Sequence, residues 1–506
     1  MKKRTSYVLV LVLALLMLAT GCGKKDTPQV DAQAILKGVL ENVKYDTKLS
    51  EAGTDAQLYF PGLPEGSQVK MYSGSGYFAD EVAFITLPDA SDTADVQPII
   101  DKHIEEIHNQ FMNYVPEELD KIDHAIIHTV DRYIFICITN DYVNAENVLK
   151  NGASKQTADS DETTDTQGGT SQTTAETEEP TTAPTENTVP VQMEYPEFNS
   201  KSGTFHDYGT NAIRVDDTAF ELYGYSDSSA ESYAKLVNRA ADKLAGKVNV
   251  YELAIPTAVG VVLPNDIQKI LPSYCDQSKA IEKLYSKLSP NVTPVHCIEN
   301  MWAHRDEYLY FHTDYHWNGR GAYYAYESFC KTKGIEPIPL EQRELKKFPG
   351  FIGALYSKSS GEDPILKANP DTVEAYCPKS TSAEMKFTDS KGQTISWPII
   401  MDVSDWAPGT RYNAFAAGDN PISVFTNPEV TDNSVCIVVK ESYGNALMPY
   451  LVDHYHTIYE IDYRYWSGDL TAFALEKNAT DLVFANNLTM ITENLLIGML
   501  AKIIPN

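Results

Sequence analysis

The chain has seven cysteines in 506 residues, and no two of them form a C-x-x-C pair. Zinc knuckles and thioredoxin-type redox sites depend on that spacing, so neither has support. Positive charge is scarce as well: 41 lysines and arginines stand against 70 aspartates and glutamates, a formal net charge of −29. Such a field repels phosphate backbones, so nucleic acid is not an expected partner, whereas neutral glycans and small esters remain compatible. Apolar residues almost vanish between Asn151 and about Val191, where Thr, Ser, Glu, Asp, Gln and Pro dominate. A segment with so little to bury reads as a disordered acidic linker, spanning roughly 30–40 Å as a random coil.

What is present starts at the N-terminus. Lys2, Lys3 and Arg4 precede an apolar run from Tyr7 to Leu18 and then Ala19-Thr20-Gly21-Cys22, the pattern of an export signal over residues 1–21. Small residues before a cysteine resemble the lipobox of bacterial lipoproteins, although Ala19 stands where leucine is usual. The resemblance implies that Cys22 is diacylated and holds the protein on the outer face of the membrane.

Residues 31–150 read as a small α+β domain. Glu81–Thr86 and Ile134–Ile138 have strand character, and Val96–Tyr114 repeats apolar residues at helical spacing. His103 and His108 lie on that helix among acids and read as solvated charge. The MYSGSGYFADEVAFI stretch, with the helix and the FMNYVPEELDKI run, resembles a small uncharacterised family of Gram-positive surface proteins. That family implies no activity.

Residues 193–506 alternate helix and strand signals. Helices are expected over 229–245 and 276–288, and strands over 248–255, 292–298, 434–439, 458–461 and 481–485. Uninterrupted β-branched runs between helices predict a parallel sheet covered on both faces, a three-layer α/β/α fold, with ligands at the carboxyl ends of the strands.

Directly after the 434–439 run comes Lys440-Glu441-Ser442-Tyr443-Gly444-Asn445. A serine in a strand-to-helix turn is lifted above the sheet beside free helix N–H groups, although the surrounding residues are not G-x-S-x-G. Read alone, Ser442 is a helix N-cap rather than a nucleophile. A second stretch, FHTDYHWNGRGAYYAY at 311–326, bears on that choice. If 308–317 is extended, Asp314 and His316 share one face while Tyr315 and Trp317 take the other. An acid can then hold the histidine Nδ1–H and leave Nε2 to accept a serine proton. Asn318 reads as the cap of a helix starting near Gly319.

DYHWNGRGA at 314–322 together with VVKESYGNAL at 438–447 resembles the DHHW family, which is similar to the periplasmic alginate O-acetylation proteins of the wider SGNH hydrolase superfamily. Tyr315 replaces one of the two histidines in the family's name, a departure expected to touch packing more than chemistry. The resemblance implies an SGNH-like domain over 193–506 with a Ser442–His316–Asp314 triad. It also implies serine-dependent O-acetyl transfer or hydrolysis on an extracellular polysaccharide, with a membrane-bound O-acyltransferase as possible acetyl donor and no cofactor. SGNH proteins add a glycine N–H and an asparagine amide to the oxyanion hole; Gly418, Asn420 and Asn445 are the candidates, with turn formation as their alternative role. A catalytically silent glycan-binding or scaffolding module is the alternative for the whole chain. Trp302, Tyr308, Tyr310 and Trp317 could stack on sugars or pack the core. His454 and His456 have no third metal ligand placed by the sequence, and no metal site is expected.

Overall fold

The computed structural model describes residues 31–152 and 195–506, apart from 52–55, 58, 75–77, 115–117, 210, 273, 360 and 390. The export signal with Cys22 and nearly all of the acidic linker lie outside the described residues. Among the described residues no helix is long and apolar enough to cross a membrane.

The N-terminal unit is built on an antiparallel sheet ordered Ser50–Glu51, Gln68–Ser73, Glu81–Thr86, Tyr133–Ile138, Ile126–Val130. Period-2 alternation divides its central strands between two cores. Ala83, Ile85, Ile134 and Ile136 face the helix Gln97–Tyr114, while Val82, Phe84, Phe135 and Cys137 pack with the helices Ala32–Asn42 and Tyr142–Gly152. His103 is buried rather than solvated, its Nε2 lying 2.7 Å from Glu81 Oε1. The polar composition of its helix hid this inward turn.

The C-terminal unit carries an eight-stranded sheet. Its order is Val292–Pro294, Asn249–Ile255, Asp481–Asn487, Val435–Lys440, Thr457–Asp462, Ile422–Thr426, Glu384–Thr388, Thr394–Trp397. The first five strands are mutually parallel. The last three are antiparallel, so the sheet is mixed rather than wholly parallel. Physically the two parts differ as expected: Asp481–Asn487 is buried along its whole length, whereas Glu384–Thr388 and Thr394–Trp397 alternate or stay half exposed. Helix Asp227–Leu244 places Tyr233, Leu236, Val237 and Leu244 in the core and packs on strand Asn249–Ile255.

The two units share the C-terminal helix Asn494–Ile503. Leu495 belongs to the core of the N-terminal unit, Ile497 and Leu500 to that of the C-terminal unit, and Lys502 Nζ donates to Ser73 Oγ. Gly498 is glycine for a steric reason, since a Cβ there would fall 2.2 Å from the Tyr59 ring.

Within strand Asn249–Ile255, Glu252 is buried and both its oxygens lie 3.0 Å from the Tyr233 hydroxyl. Burial pushes its carboxyl up to about 8, the Tyr233 hydrogen bond offsetting this only in part. A folded value above the unfolded one means the stabilisation is complete below the ordinary carboxylate range and is lost as pH rises towards 8. The upper bound is roughly 4–5 kcal/mol. Denaturant titrations at a series of pH values should show stability declining from pH 5 to 9, and Glu252→Gln should flatten that slope; a parallel decline in the variant would rule Glu252 out as its source.

Candidate active site

Strand Val435–Lys440 lies between two parallel neighbours, Asp481–Asn487 and Thr457–Asp462, and Ser442 opens the 3₁₀ turn Ser442–Leu447 that follows it. The short helix Met448–Leu451 continues the turn, with Pro449 near its start, where a missing N–H costs nothing. The cap of the turn is Glu441, not Ser442: Glu441 Oε2 accepts the Tyr443 N–H at 3.1 Å. The serine hydroxyl is thereby released from the capping role that the sequence left open.

The partner loop is not the extended segment that alternation assumed. Tyr310 and Trp317 form an antiparallel bridge, the Asn318 N–H reaches the Leu309 carbonyl at 2.7 Å, and residues 312–316 turn between them. In this hairpin Asp314 and His316 meet through an Asx turn, in which Asp314 Oδ1 accepts the His316 backbone N–H at 2.9 Å. The same oxygen lies 2.6 Å from His316 Nδ1, and His316 Nε2 lies 2.7 Å from Ser442 Oγ. Asp314, His316 and Ser442 are all buried, at 4, 6 and 3% exposure, so the relay is shielded from bulk water.

Each member is held from behind. Asp371 fixes the hairpin by accepting the backbone N–H groups of His312 and Thr313, both at 2.8 Å, and the Thr313 hydroxyl at 2.6 Å. Asp314 Oδ2 accepts the Ala354 N–H at 2.8 Å. Burial raises the Asp314 carboxyl, but the His316 imidazole and the hydrogen bonds from His316 and Ala354 outweigh it and leave the group below the usual carboxylate range. An ionised Asp314 only accepts, so Nδ1 carries the proton and the Nε2 lone pair faces Ser442. Tyr412 stacks on the His316 ring at 3.9 Å between centroids and donates its hydroxyl to the Ser442 carbonyl at 3.0 Å. Trp317 donates Nε1–H to the Tyr443 carbonyl at 3.0 Å, tying the hairpin to the serine turn.

Gly353 lies against this carboxylate, and a Cβ there would come within 2.2 Å of Asp314 Oδ2. Gly353→Ala is therefore expected to rotate Asp314 off the imidazole and lower ester turnover about 100-fold while the chain stays folded. Turnover kinetics beside circular dichroism would check it, and unchanged turnover would mean that the carboxylate does not orient His316.

The oxyanion candidates gather around Asp419 and have their donors engaged. The Gly418 N–H bonds the Phe415 carbonyl at 2.9 Å, Asn420 Nδ2 the Ala417 carbonyl at 3.2 Å, and Asn445 Nδ2 the Asp419 carboxylate at 3.0 Å. Asp419 also accepts from Lys440 and Arg464, and these cations outweigh the upward push of burial on its carboxyl. Lys440 Nζ reaches Asp462 at 3.2 Å as well, so a buried charge network underlies the serine turn.

Sequence reading passed over Glu441, Tyr412, Gly353 and this network. Glu441 Oε2 is 3.3 Å from Ser442 Oγ, and its Oε1 accepts the Asn487 N–H at 3.0 Å. Burial raises its carboxyl. The signal was its place in the quoted Lys440-Glu441-Ser442 turn. The other histidines lie elsewhere: His304 stacks on Tyr324 at 3.8 Å, His312 sits 3.4 Å from Asp371, and His454 Nε2 is 2.6 Å from the Tyr326 hydroxyl. His456 Nδ1 lies 3.0 Å from Thr457 Oγ1. Asn318 caps the helix Gly319–Lys333 as expected. Trp317 and Tyr310 are core residues, and Tyr308 and Trp302 are bonded to Asp371 and the Gly260 carbonyl.

Among solved structures, a DHHW family protein from Eubacterium siraeum matches with 26% identity and a TM-score of 0.53, over 59% of this chain and 97% of its own. Bacillus cereus PatB1 with a sulfonyl adduct matches at 19% identity and a TM-score of 0.47, over 56% of this chain and 97% of its own. The O-acetyltransferase domain of Pseudomonas putida AlgJ matches at 15% and 0.29, over 57% and 90%. No curated protein matches. A model of a domain of unknown function, DUF4358, covers residues 66–139, within the N-terminal unit. The model described as DHHW protein covers residues 180–461, more than half of the sequence and all three relay residues, and the chain belongs to that family.

Proposed function

We propose that the C-terminal unit, residues 193–506, is a serine-dependent O-acetyltransferase or O-acetylesterase acting on an extracellular polysaccharide. The observation that carries this reading is the continuous relay from Asp314 through His316 to Ser442 Oγ, with contacts of 2.6 and 2.7 Å. Ser442 Oγ attacks the acetyl carbonyl carbon while its proton passes to His316 Nε2. The imidazolium returns that proton to the departing alcohol oxygen, leaving acetyl-Ser442. A sugar hydroxyl or water then gives its proton to the same nitrogen and takes the acetyl group, and the imidazolium returns that proton to the departing Ser442 Oγ. Asp314 holds the imidazole and balances its charge. Gly418, Asn420 and Asn445 are the oxyanion donors of this proposal, each exchanging its present acceptor for the substrate oxygen.

Acetyl as the acyl group, and a glycan as its acceptor, follow from the DHHW resemblance to O-acetylation proteins. In this reading the three-layer SGNH-like arrangement frames the site, Cys22 anchors the protein outside the membrane, and a membrane-bound O-acyltransferase supplies acetyl groups. The depth of Ser442 and the engaged amide donors favour a second reading, a surface module that binds glycan without turnover. Acyl capture separates the two. After incubation with an activated acetyl ester and acid quenching, mass spectrometry of the Ser442 peptide should show one acetyl increment on the serine. An unmodified peptide, with no ester consumed, would favour the silent module.

A further inference from the structure

Beside the motif hairpin lies a cavity of about 490 Å³ that the relay does not use. Tyr308, Tyr310 and His312 of the hairpin line it together with Phe198 and Arg305. Its volume falls in the range of small-molecule sites. Arg305 is 7% exposed. Nη1 and Nη2 donate to the Asn265 Oδ1 and the Leu263 carbonyl, both neutral and both at 3.0 Å, and Nε has no acceptor. The guanidinium carbon lies 5.3 Å from the centre of the Phe198 ring.

Among the described residues no carboxylate stands within ion-pair distance of Arg305, whereas the other deeply buried cations Lys121, Arg343, Arg464 and Lys440 each hold one. A buried charge without a partner is costly, and an entering anion relieves that cost. The acids on the cavity wall are directed elsewhere. Asp216 accepts the Lys201 and Ser202 backbone N–H groups, Glu307 is held by Arg320, His304 and Tyr324, Asp217 lies 3.4 Å from the Thr218 hydroxyl, and Asp306 is exposed. They nonetheless make the cavity hostile to a doubly charged phosphate.

We propose that this cavity binds a singly charged organic carboxylate, its oxygens completing the hydrogen bonding of Arg305 and the rest of the ligand resting on the aromatic wall. The proposal is independent of the serine chemistry, because binding is read without turnover.

Calorimetry on the full chain tests it with glucuronate, acetate, glucose and inorganic phosphate as probes. Saturable glucuronate binding is expected, at least tenfold tighter than glucose or phosphate, and at least tenfold weaker in Arg305→Gln. Acetate matching glucuronate would identify a bare carboxylate as the ligand, and acetate binding far more weakly a sugar-borne one; both support the site. Should Arg305→Gln fail to fold, Val262→Trp, which narrows the cavity but keeps the guanidinium, decides by the same tenfold loss. Absence of saturable binding by both carboxylates overturns the proposal. So does glucose or phosphate binding as tightly as glucuronate, or affinity unchanged in the variants.

Discussion

Ser442→Ala is expected to lower turnover of an activated acetyl ester by about 1,000-fold or more, with thermal stability nearly unchanged. The relay explains the first half. Without Oγ, His316 Nε2 has no nucleophile to activate, and what remains is whatever binding and electrostatics supply. Local bonding explains the second half. The N-cap of the serine turn is the Glu441 side chain, so removing one oxygen leaves the Tyr443 and Asn487 N–H groups satisfied. The cost is the hydroxyl's hydrogen bonding with the imidazole and with Glu441 Oε2, about 1–2 kcal/mol. Steady-state kinetics and thermal unfolding on the same preparations check both. A large loss of stability would return Ser442 to a structural role, and intact turnover would move the nucleophile elsewhere.

The parts of this site that were legible in the sequence are those whose chemistry is local. An uninterrupted apolar run followed by a polar turn placed Ser442 at the carboxyl end of a buried strand, and the strand Val435–Lys440 ends one residue beyond the expected 439. Asn318 announced the start of its helix through capping chemistry alone. The pairing of Asp314 with His316 was reached by a route the structure replaces. Strand alternation and an Asx turn both bring residues i and i+2 together, and the sequence could not distinguish them. Tertiary terms were illegible. Tyr412, Gly353 and Asp371 reach the relay across long sequence separations, and none carries a periodic or motif signal. Glu384–Thr388 and Ile422–Thr426 are short and partly polar, which conceals antiparallel strands among loops. His103 was misjudged because a helix dominated by acids still turns one face inward, where Glu81 waits 2.7 Å away.

The sharpest separation of chemistry from architecture comes from Asp314→Asn, expected to lower kcat/KM by about 10,000-fold in a chain that still folds. Asparagine keeps the shape of the side chain, and its carbonyl can still accept the Ala354 N–H or the His316 backbone N–H. What it cannot do is accept Nδ1–H and both backbone donors from two charged oxygens. An amide NH₂ turned towards Nδ1 favours the tautomer in which Nε2 carries the proton, so Nε2 can no longer take one from Ser442. Because the wild-type carboxyl is held below the usual range, Asp314 stays ionised through mildly acidic pH, and the comparison can be made there without titrating it. Asp314→Ala is the necessary contrast. It strips the buried His316 N–H and the half-buried Ala354 N–H of their acceptor, at about 1–3 kcal/mol for the buried one, and should lose stability as well as rate. If asparagine and alanine reduce rate and stability in step, Asp314 is a fastener of the hairpin and the relay ends at His316. If asparagine costs rate alone, the carboxylate sets the tautomer on which the serine depends.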